Sequence, residues 1–137
     1  MKTFFKTALF LMFSLTLGMN TALAQQNNPK FTIKWDGCDL GTTQYKHFVT
    51  YTIYDVINSS IAYGPFSSTI SYPDYNWPVE IDNWDCDQSS ELNRFILIIH
   101  VDYLNENDEI VCSGNLRTNA FPCGELYNEN IYTVTLN

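Results

Sequence analysis

Residues 46–56 read K-H-F-V-T-Y-T-I-Y-D-V. β-Branched and aromatic side chains dominate, the types that suit a pleated, half-buried surface. The apolar and polar positions alternate: Val49, Tyr51 and Ile53 fall on one face, and Thr50, Thr52 and Tyr54 on the other. A period of two is a strand signature, because successive side chains point to opposite sides of a sheet.

The same signature recurs outward from this stretch. F-T-I-K-W at 31–35 alternates, and Asn58-Ser59-Ser60 turns the chain into short segments at 61–63 and, past Gly64-Pro65, at 66–71. A strand at 78–81 follows. R-F-I-L-I-I-H-V-D-Y at 94–103 is the most apolar stretch after residue 24 and reads as the central strand. After the turn Asn105-Glu106-Asn107-Asp108 come E-I-V-C-S and finally I-Y-T-V-T-L at 131–136. No segment carries a helical period of useful length. About seven short strands between polar turns predict an all-β domain, a single antiparallel β-sandwich. Ig-like, transthyretin-like and C2-like sandwiches share this strand pattern, and the likeness is architectural, carrying no function with it.

The first residues read differently. Lys2 and Lys6 precede the apolar run A-L-F-L-M-F-S-L-T-L at 8–17, and Ala22-Leu23-Ala24 supplies small residues before Gln25. That is the layout of a secretory signal peptide, cleaved after Ala24. The run is too short to cross a hydrocarbon core of roughly 30 Å. The expected organisation is a signal peptide at 1–24, a flexible polar tail at 25–30 and the sandwich at 31–137. The expected location is periplasmic or extracellular, in solution. Two of the seven basic residues leave with the leader and all fifteen acidic residues stay, a formal charge of −10 over 113 residues. Such a surface disfavours nucleic acid and anionic membrane as partners.

Four cysteines, Cys38, Cys86, Cys112 and Cys123, follow the leader. An even number in an exported chain predicts two disulfides. The turn-rich S-G-N-L-R-T-N-A-F-P between Cys112 and Cys123 favours joining those two, which leaves Cys38 with Cys86. The second bridge would bring together two acidic turns, W-D-G-C-D at 35–39 and D-N-W-D-C-D at 82–87.

Three chemistries follow from these residues. No nucleophile elbow, zinc-protease helix motif, phosphate-cradling loop or dinucleotide fingerprint is present, so the reading leans away from an enzyme. His47 and His100 both sit inside strand patterns, and His100, on the face opposite Phe95, Leu97 and Ile99, reads as a hydrogen-bonded structural residue. Asp36, Asp39, Asp82, Asp85 and Asp87 would supply oxygen ligands for calcium if the two turns met, although the EF-hand spacing is not met. The loop Y-P-D-Y-N-W-P at 72–78 displays Tyr72, Tyr75 and Trp77 among turn formers, a rigid aromatic surface suited to ligand contact. Trp35 and Trp84, beside cysteines, are expected to pack over disulfides. The function expected first is a non-catalytic binding module that recognises protein or glycan through loops at one end. The alternatives are a calcium-binding sandwich, and a small hydrolase or an inhibitor of one.

Overall fold

The computed structural model describes residues 28–38, 46–71, 73–82, 84, 86 and 92–137. These form two sheets from β1 (Lys30–Gly37), β2 (Lys46–Asp55), β3 (Ser60–Ser71), β4 (Asn76–Glu80), β5 (Arg94–Leu104), β6 (Ile110–Arg117), β7 (Phe121–Pro122) and β8 (Ile131–Leu136). The smaller sheet has the order β4-β1-β8; the larger runs β3-β2-β5-β6, with β7 beside the start of β5. The expected leader and the start of the tail lie outside the described residues. Asn28 and Pro29 already belong to the body: Pro29 is fully buried, its carbonyl accepts from Ile81 N, and Asn28 donates to Glu80 and Asp82.

Alternation decides which side chains form the core. Val49, Tyr51 and Ile53 of β2 are buried, and β5 buries Leu97, Ile99, Val101 and Tyr103 between its two neighbours. Phe31, Ile33 and Trp35 of β1 and Val134 and Leu136 of β8 complete the core from the smaller sheet. At about 25 cal/mol per Å² of apolar surface removed from water, this shared core is the main stabilising term.

One side of the body is closed and the other open. Near Gly114 the edges β6 and β8 approach so closely that an added Cβ would lie 2.5 Å from the Thr135 carbonyl oxygen. Ser113 and Asn137 then exchange backbone hydrogen bonds, 3.1 Å for Asn137 N to Ser113 O. On the opposite side the edges are β3 and β4, which belong to different sheets.

The structure differs from the sequence reading in four places. First, the sheets are not purely antiparallel, because β1 and β8 pair in parallel, Thr32 level with Ile131 and Gly37 with Leu136. Strands far apart in sequence have no hairpin to set their relative direction. Second, 61–63 and 66–71 are one strand interrupted by a register shift. There Gly64 takes φ +97° and an added Cβ would press on the Tyr51 carbonyl at 3.0 Å.

Third, the disulfides are Cys38–Cys112 and Cys86–Cys123, with Cα separations of 6.5 and 6.3 Å, not Cys38–Cys86 and Cys112–Cys123. The segment after Cys112 does not fold back; it continues β6 to Arg117. Cys112 lies level with Tyr103 and Pro122 with Arg94, opposite ends of β5 and about 30 Å apart at 3.4 Å per residue. Fourth, Asp36 and Asp82, the two described carboxylates of the acidic turns, do not lie together. β1 and β4 are antiparallel, with Lys30 level with Glu80, so the chain leaves them at opposite ends of the small sheet. Asp36 and Asp82 are therefore separated by more than about 20 Å, so one cation does not take both. Asp39, Asp85 and Asp87 lie outside the described residues.

Candidate functional site

The open side is lined by aromatic rings because alternation on β2, β3 and β4 points them into the gap between the two edges. Tyr51 forms the floor. Phe66 stacks on it at 5.5 Å, Trp77 meets it edge-on at 5.5 Å, and Phe31 does so from below at 5.4 Å. Tyr63 packs on Phe66 at 4.6 Å and on Trp84 at 5.7 Å. The gap is bridged at one end by the Tyr63 hydroxyl, which donates to the Asp82 carbonyl at 3.3 Å. At the other end Tyr75 packs against His47 at 5.5 Å. Between these bridges Phe66 stays 40% exposed, with Trp77 half-buried across from it.

The seam is electrically neutral. Burial pushes the Tyr51 phenol up to about 12, so the floor carries no charge at any ordinary pH. The edge strand itself, S-I-A-Y-G-P-F-S-S-T-I-S, has no charged residue in twelve positions. None of those twelve is fully buried, and β2 is its only strand neighbour among the described residues.

Of the aromatics singled out by sequence, Tyr75 is 45% exposed at the rim, Trp77 is part of β4 rather than of a free loop, and Tyr72 lies outside the described residues. The structure brings Tyr75 and Trp77 to the same open side as Tyr63 and Phe66, two residues the sequence reading did not nominate. Their signal was available: Gly64-Pro65 interrupts the strand, and proline within sheets is confined to edges and bulges.

Elsewhere the polar groups are already engaged. On the outer face of the larger sheet, the two ring nitrogens of His100 sit 2.8 Å from Asp102 Oδ1 and 2.7 Å from Asn115 Oδ1. Both nitrogens are thereby engaged by neighbours on β5 and β6. His47 is fully buried, stacked on Tyr103 at 4.5 Å and tilted against Trp35 at 4.9 Å. Desolvation lowers its pKa to about 4, partly offset by a hydrogen bond to the Ile70 backbone. At neutral pH it is therefore an uncharged member of the core. Trp84 is buried with its indole N–H directed at Cys86 Sγ, the disulfide contact expected of it. A shallow depression of about 530 Å³ on the outer face of the smaller sheet is crossed by the Lys30–Glu80 ion pair, 3.4 Å, with Glu129 also in its lining. Among the described residues no three His, Cys, Asp or Glu side chains gather as metal ligands, and no helix is long and apolar enough to cross a membrane. No protein-family model, curated protein or solved structure matches the chain.

Proposed function

We propose that this chain is a non-catalytic protein-binding module that takes up an extended segment of its partner along β3. The observation that carries the reading is the edge itself, twelve residues without a single charge on a chain of formal charge −8. A sheet edge presents unpaired backbone donors and acceptors, and proteins that must not pair there protect the edge with lysine, proline, bulges or brevity. Here Pro65 and the register shift protect one half, while Phe66–Ser71 is left regular and uncharged. Strand addition draws affinity from main-chain hydrogen bonds and specificity from alternate side chains. The neutral aromatic seam offers surface for those side chains beside Phe66 and Trp77.

Two disulfides support export to an oxidising compartment. The strand order favours a sandwich other than the Ig-like one, whose first two strands are neighbours in one sheet; here β1 and β2 lie in different sheets. A photo-crosslinking amino acid in place of Thr69, in the native producing cells, tests the edge. Protein adducts should form from this position and not from Thr133 on the outer face of the smaller sheet. The opposite pattern would refute the reading.

A further inference from the structure

The regular half of the β3 edge reads F-S-S-T-I over residues 66–70, and its chemistry is the same in both directions. An apolar residue, three hydroxyl residues and another apolar residue follow one another about Ser68. Resting on the strand-addition reading, we infer that the segment β3 receives is the β3 of a second copy of this chain, antiparallel and related by a two-fold axis at Ser68.

The register follows from the pattern. With Ser68 facing its own counterpart, Phe66 lies opposite Ile70, and Ser67 lies opposite Thr69, each pair made twice. Phe66, Ser68 and Ile70 are level with Tyr51, Val49 and His47, whose side chains point into the core, so they share the inner face. Phe66 stacks on Tyr51 and Ile70 packs against the core, yet both keep exposed surface that the opposite copy would cover. Ser67 and Thr69 are exposed on the outer face. Aromatic–β-branched pairs and hydroxyl pairs are both favourable across strands. Shifting the register by one residue would set Phe66 against Thr69 and place apolar side chains opposite hydroxyls. A shift of two separates Phe66 from Ile70. Only the register centred on Ser68 satisfies all five positions at once.

Charge points the same way. Two copies of an acidic chain repel, so contact between them is least costly where neither brings a charge, and β3 has none. The interface is isologous, the commonest arrangement of homodimers. It joins the two larger sheets through their β3 edges and removes the unpaired edge from both copies. A contact of a few residues per copy belongs with small, transient interfaces, so association is expected in the range of about 10 μM to 1 mM.

Sedimentation equilibrium at about 0.15 M salt, where exposed charges are screened beyond roughly 8 Å, tests this directly. The wild type should pass from monomer to dimer over that concentration range. The Ser67→Lys, Thr69→Lys double variant sets like charges opposite each other at two places and should weaken the dimer about tenfold. The Ser67→Lys, Thr69→Glu double variant sets opposite charges face to face in the same register and should restore or tighten it. All these side chains are exposed, so the monomer fold is retained. A wild type that stays monomeric to about 1 mM would overturn the inference, as would a dimer indifferent to the lysine pair. Loss of the dimer in both variants would overturn the register. Adducts of the Thr69 crosslinker with other proteins, alongside a monomeric wild type, would sink the second copy while leaving strand addition intact. A monomeric wild type without any adduct would remove both.

Discussion

Between about pH 6.5 and 4, acid should weaken this fold through His47. Its ring is fully buried, packed among Trp35, Tyr75 and Tyr103, and its pKa is lowered to about 4 from an ordinary 6.5 because burial penalises the charged form. In the unfolded chain the ring takes up a proton near pH 6.5, while in the folded state it does not until near pH 4. The unfolded state therefore binds more protons between these values, and stability falls as pH falls through the window. Above pH 6.5 the effect is absent. At pH 5 the loss should be about 2 kcal/mol, and below pH 4 it should level at about 3 kcal/mol, at 1.36 kcal/mol per pKa unit. For a domain of this size that is a substantial share of a net stability of about 5–15 kcal/mol. Asp55, whose pKa is lowered by hydrogen bonds from Asn58 and Ile57, loses its contribution only below its ordinary 3.8, so it acts outside the window. Urea unfolding at pH 7.5, 6, 5 and 4.5, followed by tryptophan fluorescence, measures the slope. His47→Phe keeps an aromatic ring in the stack and removes the titration, so its stability should be flat across the same range. It should also relieve the unpartnered Nδ1, which is desolvated in the core at a cost of about 1–3 kcal/mol. Equal wild-type stability at pH 7.5 and 5, or an acid slope kept by His47→Phe, would refute this role of His47.

Non-reducing peptide mapping should return Cys38 with Cys112 and Cys86 with Cys123. On the chain-entropy account, opening the first bridge should cost about 4.5 kcal/mol and the second about 4 kcal/mol, because the closed loops differ in length, 74 against 37 residues. Tyr75→Ala, at the exposed rim, should change chemical-denaturation stability by less than about 1 kcal/mol, whereas Trp77→Ala removes half-buried packing on Tyr51 and should cost about 2–3 kcal/mol. Equal costs would contradict the placement of these two rings. Gly114→Ala drives a methyl group into the Thr135 carbonyl and should lower stability by about 2 kcal/mol or more, measured by thermal unfolding. Ala tolerated there would mean that β6 and β8 do not close that side.

The positions of the strands were legible in the sequence because alternation is a local property. Whether Val49, Tyr51 and Ile53 share a face follows from backbone geometry alone, and the structure keeps them on one buried face. The apolar run of β5 announced a strand with neighbours on both sides for the same reason. The parity of β2 also placed His47 with Val49, but its depth depends on Trp35 and Tyr103, which come from other strands. Which cysteines meet was not legible. Cys38 and Cys86 each follow an acidic turn, yet similarity of sequence says nothing about the end of a sheet at which a turn emerges. That depends on strand direction, and β1 and β4 run opposite ways. The segment after Cys112 read as a turn because serine, glycine and asparagine favour turns locally. Tertiary structure overrides that preference, since glycine at 114 is what the close passage of β8 requires. The open side was hidden for the same reason: that Phe66 and Trp77 line one seam follows from β3 and β4 ending different sheets, and long-range pairing alone decides which strands stand at the edge.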